Sequence, residues 1–322
     1  MQISSGGLHT HALPLFALIV VSVLAVFWPT TRSMAEIWQQ SSTYSHGYFV
    51  IPVAMWMASR ESTMHGSIPV RPFWPGLAII AAAGLVWLLG QLASVAVLAQ
   101  FAAIGMVIAT VLTVCGWRLA RRLSFPLAFL FFAVPFGEGV LPLLMDWTAD
   151  VTVWALRVTG MPVYREGNEF VIPSGRWSVI EACAGVRFLI AALMTGCIFA
   201  WHQYRTLGKR VVFLAAALGV ALLANWLRAY VIVLMAHFSD NRFGASNHNT
   251  WGWLIFGIAM FALFAIGLRW SEPPTQTRIP TTRVAPAAVE SWYLVLAAMV
   301  ISLSTAATAV NSSSSWITAS SS

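Results

Sequence analysis

The sequence predicts an all-α polytopic membrane protein with about eight or nine transmembrane helices. Of its 322 residues, 59% are hydrophobic and only 9% are charged, and the mean hydropathy is +0.76. Such a composition excludes an ordinary water-soluble domain, which needs a larger polar surface. Several of the sixteen tryptophans lie near the ends of apolar runs, as expected for side chains at the membrane surface.

Apolar runs define the predicted helices, because a helix needs about 20 mostly apolar residues to cross a bilayer. The second and fifth runs are short, and the boundary between the third and fourth lies between Gln91 and Gln100. The first run lacks a basic stretch before it and a clear cleavage site, so we expect it to be retained. The nine runs are 13–29, 47–59, 76–91, 97–117, 123–136, 183–201, 211–236, 251–269 and 291–309.

Positive charges between the runs set the predicted orientation, since Lys and Arg beside membrane spans stay in the cytoplasm. With the N-terminus inside, the cytoplasmic loops hold eleven of these residues and the outer loops hold five. We therefore expect a cytoplasmic N-terminus and an outer segment 137–182. This distribution accounts for the net charge of +7 and gives no indication of a nucleic-acid partner.

The outer segment is predicted to begin with a helix lying in the membrane interface. Apolar residues recur at steps of three and four, and charged residues share the other face. The alternative is a transmembrane placement, which would weaken the charge bias. The apolar positions are Leu144, Trp147, Val151, Trp154 and Val158, and the charged positions are Asp146, Asp150 and Arg157.

A small β-hairpin is predicted directly before the sixth span. The stretch EFVIPSGRWSVI, residues 169–180, alternates on both sides of a Pro-Ser-Gly turn. Its second strand leads to Glu181 and Cys183. We expect Cys183 in the first turn of the sixth span, where backbone N–H groups and Arg187 one turn later would favour a thiolate. From its position alone, Cys183 fits equally well as an ordinary small apolar residue of a membrane helix with no catalytic role.

Arg228 is the second unusual residue, because it lies inside the seventh span with apolar residues on both sides. An ionisable group at such depth costs roughly 3 kcal/mol and by default indicates a functional site. We expect it in the outer half of the membrane, near the level of Cys183, with Asn225 one turn earlier able to orient it. An arginine that snorkels to the membrane surface is the alternative.

His248 precedes the eighth span in the outer loop and can exchange protons near neutral pH. His237 lies near the same surface and competes for this role. Cys183 as nucleophile, His248 as acid and base and Arg228 as stabiliser of the oxyanion would together form a thiol acyl-transfer site.

These residues lie in stretches that resemble the exosortases, membrane-embedded cysteine transpeptidase-like enzymes of Gram-negative bacteria. The resemblance covers most of residues 10–270. The family's proposed triad falls on Cys183, Arg228 and His248, and Arg187 matches a further arginine of the ACxGxR pattern. The stretches are YSHGYFVIP at 44–52, FFAVPFGEGVLPLL at 131–144, GNEFVIPSGRWSVIEACAGVRFL at 167–189, NWLRAYVIV at 225–233 and HNTWGWLIF at 248–256.

The resemblance implies a substrate and a location. Exosortases are expected to act on secreted proteins with a C-terminal tail made of a Pro-Glu-Pro motif, a transmembrane helix and a basic end. Cleavage would pass through a thioester on Cys183 at the periplasmic face of the bacterial inner membrane. The new carboxyl end would go to an unknown acceptor linked to exopolysaccharide, and Glu181 is a further supporting candidate. No cofactor or metal is expected.

Three regions are predicted along the chain. Residues 1–270 form the catalytic transmembrane domain, 271–290 a proline-bearing cytoplasmic linker, and 291–322 an extra transmembrane helix with a serine-rich tail. We assign the last region no catalytic role.

Two other functional classes fit the sequence less well. A transporter or channel would use Arg228, Asn225 and His237 along a polar path, yet the other spans are nearly free of charge. A haem or metal protein would need paired histidines on one helix face, and none of the candidate histidines are so arranged. The candidates are His46, His202, His237 and His248.

Overall fold

The computed structural model describes residues 12–64, 73–238 and 248–272, and these residues are mostly helical. The chain divides into two compact units, Met1–Phe136 and Gly137–Ser322, which are described separately below. The helices are α1 (Ala12–Val26), α2 (Trp28–Gln40), α3 (Gly47–Met64), α4 (Gly76–Leu92), α5 (Ala96–Cys115), α6 (Trp117–Arg122), α7 (Ser124–Phe129), α8 (Leu141–Val158), α9 (Val186–Gln203), α10 (Leu207–Phe238) and α11 (His248–Leu268). The strands are β1 (Tyr164–Glu166), β2 (Glu169–Ile172) and β3 (Gly175–Ser178).

In the first unit, α4 and α5 pack along each other and locate the uncertain boundary between the third and fourth predicted spans. The chain turns at Ala93–Val95, where Ser94 has a left-handed φ of 57°. Gly90 permits the close approach, because a Cβ there would lie 2.8 Å from the backbone nitrogen of Ala99. The two spans are therefore separate helices joined by a tight turn.

The fifth predicted span, 123–136, is not one continuous helix. After α7 the chain tightens into a 3₁₀ turn, Leu130–Ala133, and Val134 is extended. Val134 precedes Pro135, whose ring disfavours the helical conformation of the residue before it. The helical segment thus ends at Ala133, three residues before the predicted end of the span, because hydrophobicity alone does not register this break.

An unpredicted helix, α2, lies beside this break in the first unit. It buries Thr30, Met34 and Trp38 at steps of four residues. The Trp38 Nε1 group donates a hydrogen bond of 2.9 Å to the Ala133 carbonyl, and His46 Nε2 lies 3.2 Å from the Phe132 carbonyl. Carbonyls at the end of the 3₁₀ turn are thereby satisfied by side chains.

In the second unit, α9 and α11 both pack against α10, and α8 packs against α10 near the sheet. The β-hairpin predicted within 169–180 is confirmed: β2 and β3 are antiparallel, with Ile172 opposite Gly175. The strand β1 was not predicted, and it joins β2 through a turn in which Gly167 has a φ of 59°. One apolar cluster joins α8, the sheet and α10, and its buried members are Ala149, Val153, Leu156, Phe170, Ile172, Val179 and Val233.

The predicted helix within 144–158 is present as α8. On its charged face, Asp150 forms an ion pair with Arg165 of β1, so this face contacts the sheet. Trp147 and Trp154 of the apolar stripe are exposed, as expected for side chains that contact lipid. The placement of α8 in the membrane interface stays a prediction.

Three described helices are long and apolar enough to cross a membrane, namely α5, α9 and α10. A fourth span is counted if residues 124–133 and 138–158 are taken together, and 76–92 and 252–268 are shorter apolar helices. The total of eight or nine spans and the orientation of the chain stay predictions. The predicted span 291–309 lies outside the described residues.

Candidate active site

Cys183 ends a short 3₁₀ turn, Glu181–Cys183, that connects the sheet to α9. Its backbone N–H donates a hydrogen bond of 2.8 Å to the Ile180 carbonyl, and Ala184 N–H donates one of 3.1 Å to the Glu181 carbonyl. The Cys183 side chain is half-buried against the cluster that joins α8, the sheet and α10. The thiol thus lies on a compact turn that packing holds in place.

The placement of Cys183 in the first turn of the helix was wrong. α9 begins at Val186, and Gly185 before it adopts a left-handed φ of 81°. This conformation separates the 3₁₀ turn from the helix, and L-residues with a side chain rarely adopt it. Cys183 consequently precedes the N-terminus of α9 instead of belonging to its first turn.

Asn225 of α10 is the residue that contacts the cysteine turn most directly. Its Nδ2 group donates a hydrogen bond of 2.9 Å to the Cys183 carbonyl and lies 3.4 Å from the Thr148 hydroxyl of α8. Asn225 is only 3% exposed. The sequence suggested that Asn225 would orient Arg228, whereas its amide binds the backbone of Cys183.

Arg228 is buried at 4% exposure, which excludes a snorkelling arginine. Its guanidinium carbon lies 5.4 Å from the centre of the Phe188 ring, a distance at which a cation and an aromatic face attract. On α11, Gly252 leaves room for the side chain, because a Cβ there would lie 2.5 Å from Arg228 Nε. The arginine is therefore held in a slot between α9, α10 and α11.

Two positive charges lie near the thiol. Arg187 is the second residue of α9 and is half-buried. The charges of Arg187 and Arg228 both interact with the Cys183 sulfur. Two guanidinium charges at this position attract any negative charge that develops on a bound substrate.

The other candidates are placed less fully. His248 begins α11, four residues before Gly252, and its side chain lies outside the described residues. His237 lies in the last turn of α10, nine residues beyond Arg228, which is about 13 Å along the helix. The side chain of Glu181 is exposed and forms no hydrogen bond or ion pair with another described residue. Structure thus brings Cys183, Arg187, Asn225 and Arg228 together.

Four residues of this site were not identified from the sequence: Thr148, Gly185, Phe188 and Gly252. Gly185 and Phe188 lie in the stretch EACAGVRFL, so their closeness to Cys183 in the sequence could have identified them as site residues. Gly252 lies in the stretch HNTWGWLIF at 248–256, whereas Thr148 lies outside the stretches named above, and the packing shows the role of both.

A family model described as transmembrane exosortase matches residues 38–265, which is more than two thirds of the chain. The chain belongs to the transmembrane exosortase family. This family comprises membrane cysteine transpeptidases that act on secreted proteins with sorting tails. The matched range includes Cys183, Arg228 and His248. Comparison with curated proteins found no match, and comparison with solved structures also found none.

Family membership also agrees with the membrane character of the chain, which is embedded through its apolar helices. Among the described residues, no group of three or more His, Cys, Asp or Glu side chains is placed to hold a metal ion.

Proposed function

We propose that this protein cleaves the C-terminal tails of secreted proteins, with Cys183 as the nucleophile. The observation that carries the proposal is that Asn225 binds the Cys183 carbonyl one helical turn before the buried Arg228, in the range that matches the family. The expected substrate carries a Pro-Glu-Pro motif, a transmembrane helix and a basic end. Cleavage takes place at the periplasmic face of the bacterial inner membrane.

The proposed reaction has two steps. The Cys183 thiolate attacks the carbonyl carbon of the scissile peptide bond, and Arg228 stabilises the oxyanion that forms. The carbon–nitrogen bond then breaks, a thioester remains on Cys183, and His248 gives a proton to the departing amine. In the second step, the acceptor linked to exopolysaccharide attacks the thioester and releases the thiol.

The surroundings of Arg228 suit the stabilisation of an oxyanion. A guanidinium shielded from water by Phe188 and α11 acts in a low dielectric, where its attraction for negative charge is much stronger than in water. It is also fixed before the substrate arrives, so no reorganisation is needed during the reaction. A snorkelling side chain would offer neither advantage.

Polar groups in the second unit lie together, and this supports an enzyme over a channel. The described buried polar residues of this unit are Thr148, Thr152, Asn225 and Arg228. Along α10, the same bundle continues into packed aromatic rings around Phe213. A conducting path would need polar groups along the length of the bundle.

The test is a tail-removal assay in living cells. A tagged secreted protein with a Pro-Glu-Pro tail is expressed with the wild type, with Cys183→Ala, and with Cys197→Ala as a matched control that removes a thiol within α9. We expect the wild type and the control to shorten the substrate and Cys183→Ala to leave it intact at equal membrane abundance. Equal shortening by Cys183→Ala would refute the role of this thiol.

A further inference from the structure

The backbone of the cysteine turn has a carbonyl that α9 does not use. The first carbonyl that accepts from α9 is that of Gly185, which binds Phe188 N–H at 2.9 Å and Leu189 N–H at 3.1 Å. Cys183 lies two residues earlier, and its carbonyl accepts from Asn225 Nδ2 at 2.9 Å. A side chain of α10 therefore satisfies the backbone carbonyl of the residue that bears the thiol.

The approach of the two segments depends on Gly185. A Cβ on this residue would lie 2.5 Å from Asn225 Cγ and 2.7 Å from Asn225 Nδ2. The absence of a side chain lets the left-handed turn rest against the amide. Because Asn225 is almost fully buried, this contact is shielded from water, which strengthens its hydrogen bond.

The orientation of the Asn225 amide follows from its partner. If the amide were reversed, its oxygen would face the oxygen of the Cys183 carbonyl, and two acceptors would repel each other. The assigned orientation leaves Asn225 Oδ1 buried and without a hydrogen-bond partner among the described residues. Burying Asn225 Oδ1 without a partner destabilises the fold, so the hydrogen bond from Asn225 Nδ2 to the Cys183 carbonyl must more than offset that cost.

We propose that Asn225 is a positioning residue that fixes the Cys183 turn so that the thiol meets the substrate carbonyl in a reactive geometry. The proposal rests on the function proposed above for Cys183 and adds a residue that touches the nucleophile only through its backbone. Asn225 lies one turn before Arg228 on α10. One helix thus sets the positions of both the nucleophile and the charge that stabilises the oxyanion.

Substitutions at Asn225 separate positioning from simple packing. Asn225→Asp keeps the shape but replaces the donor by an acceptor, negatively charged when ionised, which repels the Cys183 carbonyl and disfavours a nearby thiolate. Asn225→Ala removes the contact without adding charge. Thr152→Val is the matched control, since Thr152 is a buried residue of α8 whose hydroxyl has no hydrogen-bond partner among the described residues.

The experiment measures alkylation of Cys183 by iodoacetamide against pH, in full-length protein whose other thiols are removed by Cys115→Ala and Cys197→Ala. We expect Asn225→Asp to move the pH profile upward and to slow alkylation about tenfold at neutral pH. Thr152→Val should match the parent. A profile for Asn225→Asp that is identical to that of the parent would overturn the proposal.

The cleavage assay supplies the second readout and covers the case in which Asn225→Asp does not fold. We expect Asn225→Ala to lower kcat about 100-fold with KM within about twofold, because the nucleophile is displaced while the binding surface stays. An unchanged kcat for Asn225→Ala would refute the positioning role. The alkylation experiment needs no substrate, so it tests the positioning role independently of cleavage. If Asn225→Asp shifts the alkylation profile but Cys183→Ala still cleaves the substrate, the proposed function is refuted and the positioning of the Cys183 turn by Asn225 is not.

Discussion

The two ends of the helical bundle in the second unit are built from different chemistry. Around Arg228 polar groups lie beside the Phe188 ring, and these groups are a buried guanidinium, a buried amide and a backbone carbonyl. Around Phe213, fifteen residues or about 22 Å away along α10, rings of Phe199, Tyr204 and Phe264 pack against one another. We infer from the comparison that the aromatic end maintains the bundle, while the polar end costs stability and holds the residues of the proposed reaction.

Among the substitutions that test this comparison, Arg228→Ala should give the largest loss of activity, since it removes the charge proposed to stabilise the oxyanion. We expect tail cleavage to fall roughly 100- to 1,000-fold, as for the loss of an oxyanion donor in other enzymes. Arg228→Lys should recover little, because an ammonium group lacks the planar fork of guanidinium. Cleavage rates at equal membrane abundance measure both effects.

Arg205→Ala is the control for the removal of a positive charge, because Arg205 is an exposed residue at the aromatic end. Its cleavage rate should equal that of the wild type. If Arg205→Ala and Arg228→Ala lowered activity alike, the assignment of chemistry to the polar end would be wrong.

Two glycines of α11 allow the ends to be compared by the same substitution. A Cβ at Gly252 would press on Arg228, whereas a Cβ at Gly267 would lie 2.6 Å from the Phe213 ring and 2.9 Å from the Phe199 ring. We expect Gly267→Ala to destabilise the fold by about 1–3 kcal/mol, because packed rings cannot yield easily. Gly252→Ala should lower activity about tenfold or more through a displaced Arg228.

Thermal unfolding in detergent and cleavage by the folded protein at low temperature distinguish the two variants. We expect Gly267→Ala to have a lower Tm with near-normal cleavage. Gly252→Ala should have a near-normal Tm with reduced cleavage. The opposite pattern would contradict the comparison of the two ends.

Glu272 should make the aromatic end sensitive to acid. Its carboxylate accepts hydrogen bonds from Thr206, Lys209 and the backbone of Arg205, and these lower the pKa of Glu272 to about 2. Because the pKa in the folded state is below its ordinary value, the stabilisation is complete above about pH 4.5 and disappears as the pH falls toward 2. Glu272→Gln should therefore flatten the decline of Tm across this range.

The measurement is the Tm of wild type and Glu272→Gln between pH 7 and pH 2. Convergence of the two curves at low pH is expected, and parallel curves would show that Glu272 contributes no pH dependence. Cleavage at neutral pH should be the same in both proteins, since Glu272 is far from Cys183 along the bundle.

Cys115→Ala and Cys197→Ala should have the smallest effects. Cys115 is buried in α5, and Cys197 lies in α9 fourteen residues beyond Cys183. Each loss removes only a small apolar group, so we expect unchanged cleavage and a slightly lower Tm. A loss of cleavage in either variant at normal abundance would mean that Cys183 is not the sole nucleophile.

Hydrophobic runs predicted α4, α5, α9 and α10 with errors of a few residues at their ends, because burial in lipid depends mainly on composition. The hairpin at 169–180 was also readable from its alternation and its Pro-Ser-Gly turn. Missed elements have weaker local signals. α2 is too polar for a hydrophobic run, although Thr30, Met34 and Trp38 recur at steps of four.

The site was readable only in part. Cys183 and Arg228 were identifiable because a thiol at a membrane boundary and a guanidinium inside a span are unusual in themselves. The break between the 3₁₀ turn and α9 at Gly185 could not be identified from the sequence. The left-handed backbone there contacts Asn225, which lies forty residues later in the chain. The role of Asn225 likewise depends on a hydrogen bond between distant segments, which no local pattern encodes.

The central claim is that Cys183 forms a covalent bond with the substrate, and mass spectrometry tests it most directly. Cells expressing the protein and a tagged substrate are quenched in acid, and the tryptic peptide that contains Cys183 is examined for an attached substrate fragment. We predict a thioester on Cys183 that hydroxylamine releases and that is absent in Cys183→Ala. Substrate shortening without such an adduct, continuing in Cys183→Ala, would contradict the mechanism.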